Sequence, residues 1–568
     1  MDGPSIARPG QYRRKGPMTP DFRRWLADLA SWLPASLLAG ALLGLAFPPA
    51  DLWWMAWFGM APLLWVLHQP IGKLRAFLAG FAGGVIFALI VLRPVVSAYL
   101  WSGWQEDIDL ESATARQHQL LLVLWIIVSI WGGGIFWGGF TFVLSRLAGG
   151  SLIRMALLAP ALYVVIAEWL RSLATWKIQW AFLGNALVET ESLRQLAAFG
   201  GVWLLTWLVV LGNVGVLAIL LNLKRSERRQ WLVAAFVSTV LAAAVAGGNW
   251  QLRMTEKILN DQPAFTVAAL QYHKPQYYIS DYIEIGLEKQ YVDLLSQIMS
   301  GQTDEIDLLV LPESVALTAI SLDGSFTTSL PRDMQFSAKS WARVILGIMD
   351  LGDSSTALVM GLNAVENGKK HNSMVYWGPL GLTGHYHKQR LVPFAEYSPG
   401  ILRPLGLQGE SQYHPGTPTD TVQMGNFRLG TFICQEVLIP QVARQATTNG
   451  AQMLVSGGND GVFADPAVAT VNARLAQLRA VENGRYLVRA MKTGISAVID
   501  PTGREVARSP GSDPHLVVGR AKYLNHFTFY TRHGNWMLAL AWIVIAIATI
   551  TRPLPRLLAS PWNKLDRA

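Results

Sequence analysis

Cys434 is the only cysteine in a chain of 568 residues. It follows an apolar run directly, in Gly430-Thr431-Phe432-Ile433-Cys434-Gln435-Glu436. Two other reactive side chains stand upstream in similar settings. Glu313 lies in Leu308-Leu309-Val310-Leu311-Pro312-Glu313, and Lys388 in His385-Tyr386-His387-Lys388-Gln389-Arg390. A thiol, a carboxylate and an amine are the parts of a nucleophilic centre. The sulfur attacks, the carboxylate takes its proton, and the ammonium holds the negative charge that develops. A thiol titrates near ~8.5 unless a positive charge lowers it, a part Lys388 can play. Read singly, each residue has a plainer role: a solvated loop carboxylate, an edge-strand lysine, a small buried hydrophobe. His385 and His387 share a strand face by period-two spacing, which suits a metal, but the sequence offers no third ligand. No metal or organic cofactor is expected.

These groups need elements to hold them. Residues 263–525 read as an α/β unit. β-rich runs fall at 265–270, 306–311, 357–361, 373–377, 427–434, 451–455, 486–490 and 497–499. Helical patterns separate several of them, at 284–299, 333–350, 438–449 and 467–484. Strands alternating with helices predict a layered sandwich with helices outside. Pro312 ends one strand and puts Glu313 at a sheet edge, and a strand-to-turn position for Cys434 exposes its sulfur.

The flanks are different. Apolar residues make up 51% of the chain and charged residues only 15%, on the membrane-protein side of the usual mix. Apolar runs occur at about 33–49, 52–69, 74–95, 119–147, 152–171, 200–222, 231–249 and 535–551. A crossing helix needs ~20 apolar residues, so these give about eight spans. The first two are short and joined by Pro48-Pro49, as a re-entrant pair would be. Gly132-Gly133-Gly134 and Gly138-Gly139 suit close helix packing. The run recurs instead of stopping once, so a cleavable signal peptide is not expected.

Basic residues sit between alternate runs: Arg8 to Arg24 in the tail, then Lys73 and Arg75, Arg146 and Arg154, Lys224 to Arg229, and Arg552 to Arg567. The 96–118 loop instead carries Glu106, Asp107, Asp109 and Glu111. The positive-inside rule places the basic loops in the cytoplasm and the α/β unit outside. The net charge of +9 is spread over these loops and forms no stripe for nucleic acid. Trp101, Trp104, Trp176 and Trp180 fall near outer span ends, as an interfacial belt would. Glu168 and Arg171 are the notable intramembrane charges, few for a transporter. The expected divisions are a basic tail (1–32), a transmembrane domain (33–250), an outer catalytic domain (251–530), a final helix (531–551) and a tail (552–568).

The order Glu313, Lys388, Cys434 resembles the nitrilase, or carbon–nitrogen hydrolase, superfamily, and within it the membrane-bound apolipoprotein N-acyltransferases. Further segments carry the resemblance: Pro393-Phe394-Ala395-Glu396-Tyr397, Asn459-Asp460-Gly461-Val462-Phe463, Arg479 to Arg485, Thr493 to Asp500, Gly44 to Pro49 and Gly200-Gly201-Val202-Trp203. It implies a multi-pass α-helical membrane domain plus a nitrilase-like αββα sandwich. It implies Cys434 as nucleophile, Glu313 as general base and Lys388 as oxyanion stabiliser, with Glu396 and Glu436 supporting them. It implies a phospholipid acyl donor, a diacylated lipoprotein acceptor, and a bacterial inner-membrane enzyme with its catalytic domain on the periplasmic side. Three positions depart from the family's aromatic pattern: Leu311, Gln435 and Val462. They motivate an alternative, a membrane-bound amidase or acyltransferase with a different acceptor, tied to conjugation or a mobile element.

Overall fold

The computed structural model describes residues 20–102, 122–123, 125–175, 179–224, 227–271, 293, 306–314, 319–321, 356–378, 381–393, 396–397, 413–417, 421–462, 465–511 and 513–551. Two of the expected helices, 284–299 (apart from Asp293) and 333–350, lie outside the described residues.

Six helices are long and apolar enough to cross a membrane: Ala27–Leu45, Lys73–Pro94, Trp125–Ala148, Leu152–Ala174, Ala197–Lys224 and Arg228–Asn260. A shorter apolar helix, Trp536–Ile550, follows the α/β region. The last helix before the α/β region runs to Asn260, beyond the boundary expected at residue 250. Glycines allow close helix contacts. A Cβ on Gly84 would lie 2.5 Å from the Gly133 carbonyl oxygen, and one on Gly133 would lie 2.2 Å from that of Gly84. Only bare backbone lets these two helices approach so closely.

The two ends of the bundle differ in what they touch. One meets the α/β region: Arg474 holds Asp51 through two bonds of 2.6 Å, Arg93 meets Asp465 at 3.2 Å, and Arg504 meets Glu191 and Glu256 at 2.6 and 2.8 Å. The other end holds the turns around His68 and Gly150, joined by a 2.6 Å contact from His68 Nδ1 to the Gly150 carbonyl. The chain therefore passes from one end to the other between Asp51 and His68. It does so without a continuous helix, as a 3-10 turn, Trp53–Trp57, and the eight-residue helix Ala61–His68. The second run is thus a broken pass rather than a plain span.

Asn213, buried on the helix Ala197–Lys224, supports the break. Its Oδ1 accepts from the backbone N–H of Met60 (2.7 Å) and Ala61 (3.1 Å), and its Nδ2 donates to the Ala56 carbonyl at 2.7 Å. Irregular backbone inside an apolar bundle persists only where protein groups satisfy it in this way.

The α/β region is a two-sheet sandwich. One sheet has the order β13-β1-β2-β4-β5-β6, with β3 pairing β4. Its strands are β1 (Phe265–Gln271), β2 (Leu308–Val310), β3 (Ala319–Ser321), β4 (Ala357–Glu366), β5 (Lys369–Gly378), β6 (Gly381–His387) and β13 (His515–Ala521). The other has the order β12-β11-β10-β9-β8-β7, from β7 (Val422–Met424), β8 (Phe427–Ile433), β9 (Met453–Gly458), β10 (Leu487–Met491), β11 (Ala497–Ile499) and β12 (Glu505–Arg508). β1, β2 and β4 run parallel, as do β8, β9 and β10. The short strands β3, β7, β12 and β13 escaped the sequence reading, which found the apolar central ones and the alternation of β6.

Val267, Val310, Val359, Met374 and Tyr376 of one sheet pack on Leu429, Ile433, Val455, Val488 and Val498 of the other. The helices Pro440–Thr448 and Pro466–Asn483 cover the outer face of the second sheet. There Phe432, Leu454 and Leu487 join Leu438, Val442 and Leu475 in an apolar core that continues into the bundle.

Candidate active site

Cys434 follows β8 and opens a short 3-10 turn, Cys434–Leu438. Its φ of 51° lies in the left-handed region, a strained setting for a side chain with a Cβ. Strand and turn together aim it between the sheets. Two glycines at the end of β9 make the room. A Cβ on Gly458 would sit 3.3 Å from the Cys434 Cα, and one on Gly457 would sit 3.1 Å from the Glu313 backbone nitrogen.

Glu313 ends the strand β2 extension, and Lys388 follows β6, so both come from the first sheet. Lys388 Nζ lies 2.8 Å from Glu396 Oε1 and 3.5 Å from Glu313 Oε1. Asn372, on β5, donates from one amide nitrogen to Glu313 Oε1 (2.5 Å) and Glu396 Oε1 (3.0 Å). Glu396 Oε2 also accepts from the Val392 N–H at 2.7 Å. The lysine is thus shared by two carboxylates that one asparagine spaces apart. Sequence reasoning missed Asn372. Its signal was a polar residue on the face that otherwise buries Met374 and Tyr376.

Glu436 does a different job. Its Oε1 accepts from the N–H groups of Gln389 and Arg390, at 2.8 and 2.9 Å. Its Oε2 accepts from the Ile433 N–H at 2.8 Å and the Tyr386 hydroxyl at 2.9 Å. One buried carboxylate therefore ties the chain after Lys388 to the residue before Cys434. Burial raises its pKa above the usual carboxylate range, against the donors from Ile433 and Arg390 and the charge of Lys388.

The electrostatics correct one expectation. Cys434 is buried, not exposed, with only 8% of its surface accessible. Burial pushes its thiol well above the ordinary value, and the Glu313 charge adds to this; Lys388 opposes it without prevailing. The resting sulfur therefore carries its proton. Burial also works against the charge on Lys388, but Glu396 and Glu313 outweigh it and hold the amine well above the usual lysine value. Behind the thiol, Asp460 is paired to Arg489 at 2.9 Å and accepts from Asn472 at 2.7 Å.

The remaining expected residues are spread more widely. Leu311 is fully buried. The side chain of Val462 lies outside the described residues, as do Trp104, Trp176 and the side chain of Trp101. Trp180 is buried, and its indole N–H donates to the Val91 carbonyl at 2.8 Å, so it braces the bundle rather than facing an interface. Glu168 accepts from the Leu183 N–H at 2.7 Å, and Arg171 donates to the Trp180 carbonyl at 2.9 Å. These two charges tie down a loop. His385 and His387 do share a face, and the fold adds Glu366 and His371 beside them, which spacing along the sequence did not reveal.

Two family models match the chain in order: the apolipoprotein N-acyltransferase N-terminal domain over residues 39–215 and carbon-nitrogen hydrolase over residues 266–519. The apolipoprotein N-acyltransferase of Vibrio vulnificus is 26% identical over 544 residues, covering 90% of this chain and 95% of that protein. That of Mycolicibacterium smegmatis is 26% identical over 582 residues, covering 94% and 89%. Among solved structures, an amidase from Nesterenkonia sp. aligns with 49% of this chain and 96% of its own, at 20% identity and a TM-score of 0.33. Matched by both domains in order and by relatives along nearly its full length, the chain belongs to the apolipoprotein N-acyltransferase family, the membrane-borne acyltransferases of the carbon–nitrogen hydrolase superfamily.

Proposed function

We propose that the protein transfers an acyl chain from a phospholipid, through a thioester on Cys434, to the N-terminal amine of a diacylglyceryl-cysteine on a lipoprotein. The observation that carries this reading is Lys388, set 3.5 Å from Glu313 and 2.8 Å from Glu396, near the buried thiol of Cys434. The donor and acceptor rest on the family.

The sulfur of Cys434 attacks the ester carbonyl of the phospholipid, and its proton passes to Glu313. A raised thiol pKa makes that transfer part of the attack rather than a step before it. Lys388 faces the oxygen that becomes negative, and its charge is worth more there than in water because the site is dry. Collapse breaks the ester bond, and the leaving lysophospholipid oxygen takes the proton back from Glu313. The amine of the acceptor then attacks the thioester carbonyl and gives a proton to Glu313. The second collapse forms the amide and returns the proton to sulfur. Glu396 and Asn372 hold Lys388 and Glu313 apart at working distance, and Glu436 fixes the turn carrying the nucleophile.

The sidedness follows the same reading. The bundle end that touches the α/β region is opposite the turns bearing Lys73, Arg75, Arg146, Arg154, Lys224, Arg228 and Arg229. Basic turns favour the cytoplasm, so the α/β region belongs on the periplasmic face of the inner membrane.

The test is intact-mass analysis of purified protein after incubation with one defined phospholipid, followed by addition of a diacylated lipopeptide. Wild type gains the mass of one acyl chain, and the lipopeptide then takes it. An adduct that persists in Cys434→Ala, or one that the lipopeptide cannot discharge, overturns the reading.

A further inference from the structure

β4, β5 and β6 form an antiparallel ribbon whose two faces carry different chemistry. The inner face presents Asn372, Met374, Tyr376 and Tyr386 to the site and the core. Period-two alternation puts the neighbours of these residues on the other face. In register, Ala364 opposes His371, and Ser373 opposes His387. Glu366, His371, His385 and His387 therefore gather on one patch behind the site.

The distances within this patch are short. Potential ligand atoms of Glu366, His371 and His387 all lie within 4.8 Å of one another. His387 Nε2 is 3.1 Å from Glu366 Oε2, and His385 Nε2 is 3.8 Å from Glu366 Oε1. The rings of His371 and His387 stack at 4.1 Å, and those of His385 and His387 sit 4.5 Å apart.

We propose that Glu366, His371 and His387, with His385 as a fourth donor, form a binding site for a divalent transition-metal ion, Zn²⁺ by ligand chemistry.

Two observations support it beyond proximity. The first is the tautomer. His371 Nδ1 lies 2.9 Å from the His414 carbonyl, which can only accept. Nδ1 therefore carries the hydrogen, and Nε2 presents its lone pair to the cluster. His387 Nδ1 meets Ser373 Oγ at 2.6 Å and its Nε2 meets Glu366 Oε2 at 3.1 Å; an ion at Nε2 takes the tautomer with the hydrogen on Nδ1, which the Ser373 hydroxyl can accept. Metal-binding imidazoles are held in this manner by a second hydrogen bond. The second is access: His371 and His387 are buried, whereas His385 and Glu366 have side chains 30% and 40% exposed, so an ion can enter from the rim. Imidazole nitrogens with one carboxylate oxygen suit tetrahedral Zn²⁺. Such an ion would pin β5 and β6 one residue away from Asn372 and Lys388. The inference does not depend on the acyl-transfer reading.

The test uses full-length protein without a histidine tag, in detergent, stripped by chelator and titrated with Zn²⁺ against a chromogenic competitor. Wild type is expected to bind a single ion per chain and to gain Tm on binding. Glu366→Gln, which keeps the shape, and His385→Ala, at the exposed rim, are each expected to weaken binding about tenfold or more, and His387→Gln further still. His533→Ala, on the separate helix Phe529–His533, should bind as wild type does. Absence of saturable binding in the wild type overturns the proposal. So does undiminished affinity in Glu366→Gln and His385→Ala, which report even where His387→Gln does not fold.

Discussion

Replacing Glu436 by glutamine tests whether the nucleophile turn is held by charge or only by shape. The carboxylate accepts four hydrogen bonds, two on each oxygen, at 2.8–2.9 Å. The amide must present its NH₂ to one pair. Facing Gln389 and Arg390, it would leave two backbone N–H groups without an acceptor. Facing Ile433 and Tyr386, it leaves only the Ile433 N–H, because a phenolic hydroxyl can turn and accept. The second orientation therefore wins. One buried N–H without an acceptor costs about 1–3 kcal/mol, partly offset because a buried charge has been removed. Ile433 immediately precedes the strained Cys434, so the cost falls on the geometry of attack. At about 1.4 kcal/mol per factor of ten, acylation should slow about tenfold to a hundredfold, with little change in the phospholipid concentration at half-maximal rate. Single-turnover intact-mass kinetics of thioester formation, beside a melting curve, would measure it. An acylation rate within about threefold of wild type at unchanged Tm refutes the argument.

Asn372→Leu removes the donor shared by Glu313 and Glu396; two buried carboxylate oxygens lose a partner, and acylation should fall at least about tenfold while Cys434→Ala remains the more severe variant in the same mass assay. The raised thiol pKa predicts slow alkylation: below about pH 8, iodoacetamide should label Cys434 at least about tenfold more slowly than a free cysteine of pKa ~8.5, with the rate still climbing above that pH. Gly361→Ala places a Cβ 2.5 Å from the Glu313 Cα and 2.4 Å from the Pro312 carbonyl oxygen, so it should abolish acylation by displacing the base, read against retained folding by circular dichroism. Asn213→Leu strands the N–H of Met60 and the carbonyl of Ala56 inside the bundle, each at about 1–3 kcal/mol, while the Ala61 N–H keeps the Phe58 carbonyl at 2.9 Å; it should lower Tm, and an unchanged Tm would mean that the broken pass finds other partners.

What could be read in the sequence was what is local. A run of apolar residues long enough for a bilayer is visible as composition, and the central strands are visible because both their faces are buried. Glu313 and Cys434 stood out because each follows an apolar run, and Lys388 because it lies in an alternating stretch between them; the fold brings Lys388 within 3.5 Å of Glu313. Contacts between distant segments stayed hidden. Asn372 looks like any polar residue in an alternating strand until β2 brings Glu313 beside it. Asn213 reads as one polar residue in an apolar helix until the chain at Ala56–Ala61 is seen to need it. The exposure expected for Cys434 failed for a related reason: a strand end lies at a sheet's edge, but a second sheet closes over this one.

Joining the α/β region to the bundle has a reason in the energetics of the proposed donor. Lifting an acyl chain of about fourteen methylenes into water costs about 11 kcal/mol at ~0.8 kcal/mol each, comparable to much of the barrier lowering an enzyme supplies. A soluble domain would meet that cost at each turnover. Here the apolar core runs from the bundle through the helix Pro466–Asn483 to Phe432 and Leu454 on the outer face of the second sheet, two residues from Cys434. The same helix carries Arg474, whose bonds to Asp51 and Glu189 fasten it to the bundle end. The nucleophile is therefore fixed in height relative to the bundle. Arg474→Gln should leave the thiol chemistry intact and loosen that registration. Its expected signature is acylation slowed on long-chain phospholipid but not on a short-chain soluble ester, and equal slowing on both would place the effect of Arg474 in the site rather than at the bundle contact.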